Sequence, residues 1–239
     1  MEYVFIIFLI VVVMIVLKIG LDIKIKDIKK IKALGEDKEK NSLVKEFPDN
    51  KQVCKDILKK LDNKNVIIEE TKDESSQTSL YLVMQNKILI ADIKNSFTRI
   101  QTIAHECIHS VQNKKLLKFN FIFSNINILY FIIICILAIC RVANKGISNI
   151  LLIVLILMQF VFYIVRSFLE TDAMTRAEYL AKEYIEETNI LSKENAKTIT
   201  DQYKDLNKTG IKLYNYTLAC QSLMKPIIYC LLLIFFSKW

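Results

Sequence analysis

The chain holds two histidines, and they stand four residues apart: His105 and His109, in the run IAHECIHSVQ. On an α-helix, positions i and i+4 stack on one face with Cβ atoms roughly 5–6 Å apart. Two imidazole nitrogens so placed can share one metal ion at roughly 2.0–2.1 Å, the bond length zinc prefers. Glu106 follows the first histidine, where a carboxylate can take a proton from a water that the metal activates. The plain alternative, two histidines on an ordinary helix, is disfavoured because HExxH is rare by chance and its flanks are helical as well. Ile100, Ile103, Ala104, Ile108 and Val111 recur at helical spacing, Ser96 is placed to cap the start, and Gln112-Asn113 closes the run.

A catalytic zinc usually has three protein ligands and one open position. No third histidine exists, so the remaining donor must be Glu, Asp or Cys. Six cysteines are scattered without a CxxC pair; they read as free thiols in a reducing compartment, and Cys107 points away from the metal face.

Which carboxylate arrives depends on the elements around the motif. The chain has 239 residues, 53% of them hydrophobic and gathered into long blocks, which makes a membrane protein the first class to consider. We expect a mainly α membrane protein. Residues 1–20 form an N-terminal transmembrane anchor, and 21–48 a basic amphipathic and linker segment, with Ile25, Ile28, Ile31 and Leu34 spaced between lysines. Residues 49–118 form an α+β segment: a helix capped by Asp49-Asn50, a strand at Val66–Ile68, a hairpin of Tyr81–Met84 and Lys87–Ile90 in a short antiparallel sheet, then the HExxH helix. Residues 119–169 form a transmembrane hairpin, 170–212 polar helices, with Ser192 opening the second, and 213–239 a transmembrane or interfacial helix interrupted at Lys225-Pro226. Trp239 and Lys238 suit an interface end.

The net charge of +8 is compatible with nucleic-acid binding, but membrane topology explains it better, and no nucleic-acid partner is expected. Residues 18–118 carry 21 of the 33 Lys and Arg, and residues 166–213 carry eight. The positive-inside rule puts both segments in the cytoplasm.

The hairpin returns the chain to the side of the motif helix, and the first acidic residues there are Glu170 and Asp172. On a helix they point about 200° apart, so only one can face the metal. Glu170 shares a face with Ala173, Met174 and Ala177, whose small members permit close packing. Glu170 is therefore the expected ligand and Asp172 a hydrogen-bond partner of a ligating imidazole or of Arg176, with Asp172 as ligand the alternative.

The two stretches HECIHSVQ and ETDAMTRA, separated by a membrane hairpin, resemble the YugP-type membrane-bound neutral zinc metallopeptidases of bacteria, an HExxH gluzincin-type family whose pattern reads approximately HExGHAxQ, then ExDASxRA. His105, Glu106, His109 and Gln112 match the first part; Glu170, Asp172, Ala173, Arg176 and Ala177 match the second. Ile108, Ser110 and Met174 depart from it, and the family's DHYDP-like stretch is replaced by Ser75–Ser79. The resemblance implies a bacterial zinc-dependent endopeptidase holding one Zn2+ on His105, His109 and Glu170.

The resulting expectation is a multi-pass protein of the cell membrane that cleaves membrane-associated proteins or peptides at the cytoplasmic face, with Glu106 as general base and Tyr179 as oxyanion donor ahead of Arg176 and Tyr184. Two other readings stay open: a catalytically silent zinc-binding membrane scaffold, and a basic membrane protein that recruits partners through its lysines.

Overall fold

The computed structural model describes residues 1–35, 37–71 and 78–236. In chain order these form α1 (Glu2–Gly20), α2 (Ile25–Gly35), α3 (Lys38–Leu43), α4 (Asn50–Lys60), β1 (Ile67–Glu70), β2 (Leu80–Leu82), β3 (Lys87–Ile90), α5 (Arg99–Val111), α6 (Lys114–Ile139), α7 (Lys145–Thr188) and α8 (Lys193–Phe236). Four of them, α1, α6, α7 and α8, are long and apolar enough to cross a membrane. Expectations placed on Ser75–Gln77, Lys238 and Trp239, and on the side chain of Leu34, fall outside the described residues.

The chain divides into two compact units, one of residues 1–23, 119–168 and 212–239, the other of 24–118 and 169–211. The expected apolar blocks lie on α1, α6, α7 and α8, and the two units divide close to the expected boundaries at 169 and 212. α7 runs without a break through Phe168 and Glu170, and α8 through Leu213 and Pro226. The expected boundaries at 169 and 212 mark a change of side-chain polarity, and no helix-breaking residue stands at either place. In the apolar unit, Tyr3 of α1, Ile134 of α6, Leu155 of α7 and Tyr229 of α8 share one core. Tyr3 donates from its hydroxyl to Asn149 Oδ1 at 2.9 Å.

The other unit is built on a three-stranded sheet of order β1-β3-β2. β2 and β3 form the expected antiparallel hairpin, with Tyr81 opposite Ile88. β1 pairs with β3 in parallel, Ile68 opposite Ile88, so the sheet is mixed and the expected purely antiparallel one is corrected. Periodicity reports that a strand is half-buried but carries no strand order. The middle place goes to β3, whose Ile88 and Ile90 are fully buried.

Asp49 caps α4 by accepting from the Gln52 amide at 2.7 Å, and Val53, Ile57 and Leu58 turn inward as the spacing required. They pack in one core with Ile100, Ile103 and Cys107 of α5, Ala173 and Ala177 of α7, and Tyr203 of α8. The stretch after Gly35, read from composition as a linker up to Pro48, is instead part of this core. Val44 and Phe47 are buried, and Asn41 Oδ1 accepts from the Phe97 amide at 2.8 Å. The fully buried Arg99 holds the segment: it donates to Val44 O at 2.9 Å, to Asn50 Oδ1 at 3.0 Å and to Pro48 O. Three fixed donors on one guanidinium satisfy Pro48 O and Asn50 Oδ1 and add to the Phe47 amide, 3.4 Å away, on Val44 O.

Candidate metal centre

The expected site residues His105, Glu106, His109, Glu170, Asp172, Arg176 and Tyr179 all lie in the unit of 24–118 and 169–211. The motif helix starts later than expected. Thr98 is its N-cap, while Ser96 Oγ instead meets Thr98 Oγ1 at 2.9 Å. Phe97 is buried against Tyr203, whose hydroxyl donates to Phe97 O at 2.5 Å, and this anchoring keeps residues 96–98 out of the helix.

α5 ends at Gln112, where the backbone turns extended with φ −65° and ψ 169°. On its buried face His105 and His109 sit one turn apart, Nε2 to Nε2 3.0 Å. From α7, Glu170 Oε2 approaches His105 Nε2 to 3.3 Å and His109 Nε2 to 3.7 Å. One donor atom from each residue lies within 4.8 Å of the others. Tetrahedral bonds of about 2.05 Å require ligand atoms about 3.3 Å apart, and the three distances straddle that value, so the donor set fits a zinc-sized ion. Glu170 and His109 are buried, while His105 is partly open to solvent.

Gln112 organises this cluster. Its Oε1 lies 2.8 Å from His109 Nδ1, which donates to it. Its Nε2 donates to Leu169 O at 2.8 Å and to Asp172 Oδ2 at 2.7 Å. An amide whose NH2 is already spent on two acceptors can present only its oxygen to the imidazole. That fixes the proton on Nδ1 and leaves the Nε2 lone pair directed at the cluster. Asp172 was expected to touch an imidazole directly or Arg176; it reaches His109 through Gln112 and pairs with Arg176 Nη1 at 3.5 Å.

Sequence reasoning placed Gln112 at the end of the helix and in the family pattern but gave it no role. An amide one turn after a motif histidine was the available signal.

Glu106 is buried, and burial raises its pKa above the ordinary carboxylate range. The His105 and His109 rings work against that rise, Glu170 adds to it, and the backbone of Tyr81 on β2 opposes it. For His109, burial works to lower the pKa, but the hydrogen bond and charge of Glu170, with Glu106 behind, hold it above the usual histidine value. Upward shifts of this kind among clustered groups are a common property of reactive sites.

Of the three oxyanion candidates, the geometry gathers none beside the donors. Tyr179 is 67% exposed, and nine residues on a helix turn it half a revolution from Glu170, so the role expected for it is corrected. Tyr184 is buried in the core with its hydroxyl toward Asp56 Oδ2 at 3.5 Å, and burial first, with the Asp56 charge, pushes its pKa up to about 12. Arg176 is held by Asp172.

The residues that depart from the family pattern are accommodated locally. Ser110 accepts from Asn63 Nδ2 at 2.9 Å, Ile108 is buried in the core, and the Met174 methyl lies where a Cβ on Gly210 would come within 3.2 Å. Cys107 faces α4, its sulfur 3.6 Å from that of Cys54, away from the donors.

Compared with family models, curated proteins and solved structures, the chain matches none.

Proposed function

We propose that this protein is a membrane-embedded zinc endopeptidase that hydrolyses peptide bonds of membrane-associated proteins or peptides at the cytoplasmic face. The observation that carries the reading is the convergence of His105, His109 and Glu170, three donors from two helices, beside a buried Glu106. Two imidazoles and one carboxylate with an open fourth position are a donor set suited to hydrolytic zinc. A scaffold that only stored a metal has no need of a second, buried carboxylate next to the ligands. The likeness of HECIHSVQ and ETDAMTRA to the bacterial metallopeptidase pattern points the same way.

When bound, the metal would polarise the scissile carbonyl and acidify a water. Glu106 takes the proton of the attacking water and hands it to the leaving amine. Its raised pKa suits a group that must hold that proton between the two steps. Gln112 and Asp172 keep His109 in the tautomer that ligates. The four apolar helices, with a lysine-rich segment following α1 and three lysines in the first turns of α6, support a bilayer location with the site on the cytoplasmic side.

The test is cleavage of a reporter membrane peptide by purified protein in vesicles, with zinc content measured in parallel. Wild type should cleave and carry one zinc; Glu106→Gln should carry one zinc and cleave nothing. Zinc in both with cleavage by neither would make the protein a scaffold, and equal cleavage by both would remove Glu106 from the chemistry.

A further inference from the structure

The apolar blocks of the chain, residues 1–17, 119–140, 150–168 and 213–236, hold a single acidic residue, Glu2 at the extreme start. Lys225 stands deep in the last of them. It lies eleven residues before Phe236 and twelve after Leu213, roughly 16 and 18 Å along a helix. That is near the middle of a hydrocarbon layer about 30 Å thick. Its ammonium does not turn toward either end of the helix. Nζ donates to Asn127 Oδ1 at 2.9 Å and lies 5.6 Å from the ring centroid of Phe162.

Among the described residues, the surroundings supply dipoles and no counter-charge. Asn127 Oδ1 also accepts from Gln159 Nε2 at 2.8 Å. Gln159 Oε1 and Ser222 Oγ are buried without a hydrogen-bond partner. Pro226, next to the lysine, removes one helical N–H and so leaves the Ser222 carbonyl without its donor. Asn127, Gln159 and Ser222 are all buried. A cation at this depth is costly, and such residues face a partner or a pathway. Beside Lys225, the exposed side chains of Met224, Ile228 and Leu231 form an apolar strip along α8.

We propose that Lys225 is the docking point for a transmembrane helix of another protein, one that carries an Asp or Glu at mid-span and lies along the Met224–Ile228–Leu231 strip. A second copy of this chain cannot supply the carboxylate, because its apolar blocks hold none at that depth. A lipid phosphate stays at the interface, half a bilayer away. An acidic side chain on a neighbouring helix meets the ammonium at its own level and neutralises it there. This inference needs the bilayer location but not the metal chemistry.

The experiment uses the full chain, donor-labelled, in phosphatidylcholine vesicles, titrated with acceptor-labelled leucine-rich transmembrane peptides bearing a central Glu, Gln or Leu. The Glu peptide should bind about tenfold more tightly than the other two, a preference that Lys225→Arg keeps and Lys225→Met abolishes. If Lys225→Met does not fold, Lys225→Gln takes its place and should bind the three peptides alike. Equal binding of all three by wild type would make Lys225 an internal brace and overturn the proposal. So would a Glu preference that survives loss of the lysine. A preference that disappears when phosphatidylglycerol is added would assign the lysine to a lipid headgroup and overturn it as well.

Discussion

Gln112 Oε1 lies 2.8 Å from His109 Nδ1, and this contact decides which nitrogen of the ring is free to bind. Gln112→Leu leaves both histidines and Glu170 in place but releases the tautomer. Partners of this kind typically change metal affinity about 10- to 100-fold. We expect zinc affinity, measured by competition with a chelating dye, to fall within that range while the helical circular dichroism is unchanged.

Glu170 and Asp172 separate in the same assay. Glu170→Ala should lose stoichiometric zinc, because it removes one of three donors. Asp172→Ala should keep zinc at reduced affinity, because Asp172 touches Gln112 and Arg176 rather than the cluster. Zinc kept by the first variant and lost by the second would reverse the ligand assignment.

The pH dependence of zinc binding follows from His109. Its pKa in the metal-free protein is raised by Glu170 and Glu106 against the effect of burial. A raised pKa keeps the proton on the ring to higher pH, and zinc must displace it. Below that pKa the apparent affinity should drop about tenfold per pH unit for this one proton, and above it the dependence should flatten. Glu106→Gln removes one of the raising charges, so its break should move to lower pH. Isothermal titration across pH 5–8, a range of about three units around the usual histidine value, reads the shift.

How much of this was legible in the sequence depends on the kind of information needed. His105, Glu106 and His109 declare themselves because their relation is fixed by helix spacing alone. Glu170 could be reached because a 200° separation from Asp172 forces a choice, and its small neighbours Ala173 and Ala177 point to a packed face. The parallel pairing of β1 with β3 could not be read, since alternation is the same in either direction. Val44 and Phe47 were taken for linker because two apolar residues in a polar stretch give no period; their place in the core depends on Arg99, more than fifty residues later. Tyr179 was chosen for its chemistry, and its helical phase relative to Glu170 argued against it.

Arg99 gives a prediction about stability. Arg99→Leu leaves Val44 O, Pro48 O and Asn50 Oδ1 without their common donor inside the core. Stranded acceptors cost about 1–3 kcal/mol each, so a loss on the order of 3 kcal/mol is expected after relaxation. A clear fall in melting temperature in detergent, together with faster proteolysis around residues 41–48, would show that this segment is latched by the guanidinium. An unchanged melting temperature would mean that Val44 and Phe47 hold it unaided.

The backbone of Tyr81 on β2 acts against the raised pKa of Glu106, and this has a separate consequence. It makes the surroundings of Glu106 depend on a strand only three residues long, which leads into the turn at residues 83–86. On the proposed function, lengthening or stiffening that turn offers a remote dial on turnover, one that leaves metal loading alone.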